Sequence, residues 1–208
     1  MKIFVACDLH EEEAVLDPIE SLSSTHDYTF ICGDISHTNY FITQCLEKFK
    51  NSFFIPGNWD NELVNKVLEK SPQMVHRKRV ELKNGYNVVG FGYSLPTPFA
   101  TFGELTEEQI YEQMSKLPIN DKTLLLLHCP PKGYFDLSRR NLNIGSVSIL
   151  KIIEEKQPFA AFCGHVHERV GSARIGKTQL IKLPPANEMR ACSFTITDSG
   201  TICEFVNL

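Results

Sequence analysis

The 208-residue chain has no apolar stretch approaching the roughly 18 residues that a membrane-crossing helix requires, and Met1 and Lys2 lead straight into a short strand-like run without a cleavable leader pattern. It also has no Pro-, Gly- or Ser-rich linker and no low-complexity tract, so residues 1–208 are expected to form one domain. Positive charge is not in excess. Its 21 Lys and Arg stand against 25 Asp and Glu, a formal net charge of −4, which excludes a broad nucleic-acid-gripping surface and requires any bound phosphate to be neutralised locally. The seven cysteines are odd in number and none is spaced as CxxC, which argues against a disulfide framework. These absences lead to the expectation of a reduced, soluble, cytoplasmic protein with no membrane partner. With 42% apolar and 22% charged residues, the composition is that of an ordinary globular protein with material for a large core.

What is present is an alternation of short apolar runs with helix-like segments. Residues 2–7 read as a strand and EEAVLDPIESLSS as a helix that Pro18 bends or delays. DYTFICG is a second strand, YFITQCLEKFK a helix, SFFIPG a third strand and NELVNKVLEK a helix again. Such a βαβαβα opening predicts a largely parallel sheet with helices on its faces. The middle changes character: MVHRKRVEL and YNVVGFG flank Asn84-Gly85, the strongest hairpin signal in the chain. A turn-rich loop, SLPTPFATFGEL, precedes a helix opened by Thr106 as N-cap, and the buried strand TLLLL follows. The long polar loop PPKGYFDLSRRNLNIGS comes next, then the helix SVSILKIIEEKQ and the strand AAFCG. The tail from Arg174 to Val206 reads as antiparallel strands turning at Asp198-Ser199-Gly200. A second sheet packed on the first, with helices outside, is therefore expected.

Five of the apolar runs end abruptly in metal-binding residue types: Asp8 and His10, Asp34, Asn58, His128, and His165 with His167. In open α/β sheets the crevice at the carboxyl ends of the strands is where ligands bind, and all five ends can meet there. The resulting set, two Asp, one Asn and four His, contains no thiolate. It suits manganese, iron, cobalt or zinc better than Cu(I) or an iron–sulfur cluster, and its imidazole content disfavours calcium. Seven donors exceed one tetrahedral ion but suffice for two divalent ions sharing a carboxylate. Two such ions bring +4, Asp8 and Asp34 bring −2 and a bridging hydroxide −1, leaving an electropositive centre suited to a phosphate, with the ions about 3.5–4 Å apart. Phosphoester hydrolysis by metal-activated water is the chemistry this pattern predicts, without need of a protein nucleophile.

The ordered series Asp8-Leu9-His10, Gly33-Asp34, Gly57-Asn58-Trp59-Asp60, His128 and Gly164-His165-Val166-His167 resembles the signature of the calcineurin-like metallophosphoesterase family. LPTPF with the following Glu104, HCPPKGYFD and NIGS further resemble its compact, cap-less branch, from which Pro184-Pro185-Ala186-Asn187 departs. The resemblance implies an α/β fold arranged as a four-layer αββα sandwich of two mixed β-sheets flanked by helices. It also implies that Asp8, His10, Asp34 and His167 hold one divalent metal, and that Asp34, Asn58, His128 and His165 hold the second. Manganese leads, with iron, cobalt, zinc or nickel as alternatives. Asp34 would bridge the two, and the neutral oxygen of Asn58 keeps the centre from being over-neutralised.

One departure bears on catalysis. In much of that family a histidine follows the metal-binding Asn and stabilises the transition state or protonates the leaving group; here Trp59 stands in its place. An indole N–H donates a hydrogen bond but supplies no proton at neutral pH, so a preference for diesters or acidic leaving groups over alkyl monoesters is expected. Trp59 also offers a surface for stacking a nucleobase, against a plainer reading as a wall of the site. Asp60 is expected to orient a metal-bound imidazole, and the Asn61 region to cap a helix. Arg139 and Arg140, in the long loop after His128, are candidates for forking onto a substrate phosphate, against a plainer and slightly favoured reading as solvated surface residues. His26, His37 and His76 are minor candidates for the chemistry, His37 ahead of the others because it lies three residues after Asp34; the Arg77-Lys78-Arg79 run reads as a solvated strand face, and Glu168 and Arg169 are assigned no role. The expected partner is a small-molecule or nucleotide phosphate ester. The alternative is a non-catalytic binding scaffold on the same fold, which should have lost some of the seven donors.

Overall fold

A computed structural model describes residues 1–208. Three parallel strands, β1 (Lys2–Ala6), β2 (Tyr28–Cys32) and β3 (Ser52–Ile55), lie side by side, joined through α1 (Leu16–Ser24) and α2 (Asn39–Lys48) and followed by α3 (Glu62–Lys70). Their side chains divide between two faces with the period of two that a pleated strand imposes. Phe4, Ala6 and Ile31 pack outward against Ile19, Phe41, Ile42 and Leu68 of the helices, while Ile3, Val5, Phe30 and Cys32 point inward. Helix α1 begins only at Leu16, after a 3-10 turn at Glu13–Val15. This is the delay that Pro18 predicts, because in the first turn its missing N–H has no intrahelical partner to lose.

The second sheet holds β4 (Arg79–Glu81), β5 (Asn87–Phe91), β6 (Thr123–Leu127), β7 (Ala160–Cys163), β8 (Gly171–Ile175) and β9 (Thr178–Lys182) in the order β4-β5-β6-β7-β9-β8. Strands β5, β6, β7 and β9 are parallel; β4 and β8 run antiparallel at the two edges. On its outer face Leu125, Leu127, Ala161 and Leu180 meet Ile110 and Met114 of α4 (Glu107–Ser115) and Ile149, Ile152 and Ile153 of α5 (Val147–Lys156). On its inner face Leu124, Leu126 and Phe162 meet the first sheet. Phe162 stands edge-on to Phe30 and to Phe194, with centroids 6.1 and 5.1 Å away, and truncating such a residue to Ala costs about 3–5 kcal/mol. The layers are helices, sheet, sheet and helices, as expected.

Two local readings change. The hairpin at Asn84-Gly85 exists, both residues taking the positive φ that such a turn requires (61° and 75°), but its first strand is only Arg79–Glu81. Met74 and His76 instead form single parallel bridges to Phe54 and Gly90, one in each sheet. The tail is shared between the sheets. The hairpin β8–β9 completes the second, with β9 parallel to β7, whereas β10 (Arg190–Thr197) and β11 (Gly200–Asn207) complete the first, with β10 antiparallel to β1. The seven cysteines are free thiols, Cys192 and Cys203 lying Sγ to Sγ at 3.5 Å. No helix is long and apolar enough to cross a membrane.

Candidate metal centre

Each sequence-predicted donor follows the carboxyl end of a parallel strand: Asp8 and His10 after β1, Asp34 after β2, Asn58 after β3, His128 after β6, and His165 and His167 after β7. The loops hold one another. Asp8 N donates to Gly33 O (2.9 Å), His10 N to Asp34 O (3.0 Å) and Gly164 N to His128 O (3.0 Å). Four donor residues leave their strands with left-handed backbone, Asp8, His10, Asp34 and His165 at φ of 54°, 47°, 51° and 70°. Non-glycine residues take this conformation at a cost, and such strain collects at functional sites. Gly57 is required by close approach: a Cβ there would collide with the Asp34 carboxylate and amide.

The donors form two groups whose ligand atoms lie within 4.8 Å of one another, Asp8 with His10 and His167, and Asp34 with His128 and His165. Asp34 faces both. Its Oδ2 lies 3.8 Å from His10 Nε2, and its Oδ1 lies 3.3 Å from His128 Nε2 while accepting from Trp59 N at 2.8 Å. Asn58 joins the second group with Oδ1 at 3.0 Å from His128 Nε2. The ring of His128 donates Nδ1–H to Cys32 O (2.9 Å), which aims Nε2 into the centre. Asp8 is oriented by Cys7 Sγ (2.9 Å) and by His165 N (3.1 Å), both on Oδ2.

The electrostatics match this geometry. Burial alone would raise Asp8 and Asp34, but the neighbouring imidazoles hold both carboxyls below the ordinary range; for Asp8 the buried Lys182 ammonium, which donates to Leu183 O at 2.9 Å, assists. Burial lowers His10 and brings His165 down to about 4, leaving neutral rings fit to donate a lone pair. Burial acts the same way on His128 and His167 but is overcome by carboxylates, Asp34 lifting His128 to about 9 and Asp8 raising His167. His10 Nε2 is buried without a hydrogen-bond partner. Divalent cations fit this donor set, since they would satisfy the orphaned nitrogen and offset two buried carboxylates at once.

Other expected residues are placed differently. Asp60 contacts no imidazole; fully buried, it accepts from Ile35 N and Ser36 N through Oδ1 (2.8 Å each) and from Gly57 N through Oδ2 (2.7 Å). It therefore ties the loops after β2 and β3 together instead of orienting a ligand ring. Burial and the Asp34 charge push its pKa up to about 7, against the pull of those three N–H donors. Asn61 caps α3, its Oδ1 accepting from Val64 N. Trp59 lies beside the donors, edge-on to His10 at 4.9 Å, and His37 is stacked on its indole at 3.5 Å while donating Nε2–H to Trp59 O (2.7 Å). Arg139 and Arg140 reach the rim of the same cavity, Arg139 Nε pairing with Glu168 Oε1 at 2.9 Å. His26 is structural, bridging Leu22 O and Ser193 Oγ, and buried His76 accepts from Gly92 N.

The sequence reading missed His37 as a wall of the cavity, Glu168 as the partner of Arg139, and Lys182, because a lysine inside a strand gives no local sign of burial. It singled out Glu104 without a task. Asn58 Nδ2 donates to Thr101 Oγ1 (2.9 Å), and Thr101 Oγ1 donates in turn to Glu104 Oε1 (2.6 Å).

The sequence of residues 1–186 matches the model of the calcineurin-like phosphoesterase superfamily domain. The chain belongs to this superfamily. The chain is also similar to an uncharacterized protein of Methanocaldococcus jannaschii, 34% identical over a 199-residue alignment, with 89% of this chain and 88% of that protein covered. A dimetal phosphatase from Danio rerio superposes with a TM-score of 0.64 at 11% identity, covering 100% of this chain and 98% of that one. A structure described as a novel archaeal phosphodiesterase superposes with a TM-score of 0.56 at 14% identity, each chain covered in full. At these identities the two structures establish a shared fold.

Proposed function

We propose that the 208 residues work as one domain, a dinuclear metal-dependent phosphoric ester hydrolase that favours phosphodiesters over alkyl monoesters. The observation that carries this reading is Asp34, which presents one carboxylate oxygen to each of two donor groups. In this reading Asp8, His10, Asp34 and His167 hold one divalent ion and Asp34, Asn58, His128 and His165 the other, manganese being the first choice for an oxygen- and nitrogen-rich set. A bound pair would activate water for attack and neutralise charge at phosphorus.

The chain's own residues do the remaining work. Asp60 fixes the backbone from which Asp34 and Asn58 project, and the Cys32 carbonyl fixes the tautomer of His128. Arg139 and Arg140 stand at the cavity rim to meet non-bridging phosphate oxygens of a small-molecule or nucleotide ester. Trp59 walls the site and brings no titratable proton. The neighbouring His37 already uses Nε2–H on Trp59 O, so departure of the leaving group relies on its own acidity.

Stripping metal with chelator, adding back manganese, and assaying bis(p-nitrophenyl) phosphate, p-nitrophenyl phosphate and an alkyl monophosphate tests this. Turnover should require metal and fall in that order; Asn58→Ala should abolish it, and Trp59→His should bring in the alkyl monoester. Equal efficiency on aryl and alkyl esters would defeat the preference, and inertness toward all three with metal saturating would defeat the function.

A further inference from the structure

The cavity in front of the donor groups encloses about 1010 Å³, the size of a site for a whole organic ligand rather than for a phosphate. Five of the donors, His10, Asp34, Asn58, His165 and His167, line it. Two loops far apart in sequence line it as well, residues 95–102 between β5 and α4 and residues 138–144 between β6 and α5. From these loops Phe99, Phe102 and Leu142 project into the cavity 77%, 52% and 59% exposed, beside Leu95, Pro98 and Ile144. Single exposed hydrophobic residues are ordinary, but three converging on one cavity indicate a surface that awaits an apolar partner.

The loops that carry these side chains are held by hydrogen bonds. Glu104 Oε1 accepts from Thr97 Oγ1 (2.7 Å), Thr101 N (2.8 Å) and Thr101 Oγ1 (2.6 Å), which fastens the first loop. Leu137 bridges to Asn143, and Ser138 N donates to Leu142 O (2.9 Å), which closes the second. The three exposed side chains offer no donor or acceptor to the edge of a nucleobase, and one face of Trp59 is already covered by His37. At the rim Arg139 is paired with Glu168, and Arg140 has no ion-pair partner.

We infer that this cleft holds the organic group of the substrate and that the group is an extended apolar one, so that the substrate is an amphiphilic phosphate diester, its phosphate at the donor groups and its chain between the two loops. The inference rests on the phosphoesterase reading and adds the substrate class. Each methylene buried in such a cleft strengthens binding up to about fourfold.

The test is a series with one leaving group, methyl, butyl and octyl p-nitrophenyl phosphate, beside thymidine 5′-(p-nitrophenyl phosphate), assayed with manganese. KM should fall by about tenfold or more from methyl to octyl with little change in kcat, and the Phe99→Ala/Phe102→Ala double variant and Leu142→Ser should flatten the trend. A flat series in the wild type overturns the inference, as does a thymidine ester processed better than the octyl ester and untouched by those variants. Trp59 is the chain's single tryptophan and lies in the cavity, so its fluorescence reads binding independently of turnover. If no diester is hydrolysed, the phosphoesterase reading fails, and titration with methyl- and octylphosphonate then decides the cleft alone. Octylphosphonate bound about tenfold more tightly, with the difference lost in the variants, sustains the apolar cleft, and equal binding overturns it.

Discussion

Asn58 donates its side-chain N–H to Thr101 Oγ1 at 2.9 Å, and this bond determines which end of the Asn58 amide faces the metal centre. A hydroxyl has one proton, and Thr101 commits its own to the acceptor-only carboxylate of Glu104 at 2.6 Å. The Thr101 oxygen can then only accept from Asn58, so the NH2 group turns outward and Oδ1 turns to His128. Thr101→Val removes the acceptor. It should lower metal content at the Asp34, His128 and His165 group and reduce kcat/KM by about 10- to 100-fold, as loss of outer partners of metal ligands does. Elemental analysis of the purified variant checks the first effect; two full equivalents of metal at wild-type affinity would show that Asn58 is held by other means.

Asp60→Asn should be costly although it is nearly isosteric. The carboxylate accepts three backbone N–H groups, whereas an amide offers one oxygen and points its NH2 at a donor. Each buried donor left without a partner costs about 1–3 kcal/mol. Urea unfolding of the metal-free protein should lose about that much stability, and a change within error would mean that the loops hold without Asp60.

Gly57→Ala should place a methyl group against the Asp34 carboxylate and amide. The shared carboxylate would have to move, so metal binding and turnover should fall together, by about 100-fold or more in kcat/KM. Calorimetric titration with manganese measures the binding half of this expectation. Retained affinity would mean that the β2 and β3 loops can separate without loss.

Protons and cations compete at His128. In the metal-free protein Asp34 lifts its pKa to about 9 from the model-compound value of 6.5, and Nε2 must be unprotonated to bind a metal. A raised folded-state pKa stabilises the metal-free fold fully below about 6.5, and that contribution is lost as pH rises through about 9. Metal affinity runs the opposite way, rising with pH over the same window with release of protons. Titrations in buffers of different ionisation enthalpy would count those protons; pH-independent affinity between 6.5 and 9 would contradict the shift.

Much of the fold was legible because its signals are local. TLLLL and AAFC are apolar on both sides and become β6 and β7, sandwiched between layers, and the Asp and His residues just past such runs had to emerge at their carboxyl ends. The tail was legible as strands but not as divided between sheets. Pairing β9 with β7 and β10 with β1 is a long-range choice that local alternation does not encode. Asp60 departs from its expected imidazole partner for a similar reason: three amides from two loops reach it, a tertiary choice that its place in the chain does not encode.

The seven donors, their order and their places after apolar strands were determined by the amino-acid sequence alone, because strand periodicity and abrupt polar endings are properties of a few consecutive residues. Only the tertiary structure decided that Asp34 presents one oxygen to each donor group, that Thr101 turns the Asn58 amide, and that loops about 40 residues apart line one cavity with those donors. These relationships depend on left-handed loop backbones and on groups brought together by the packing of two sheets, and neither leaves a periodic trace in the chain.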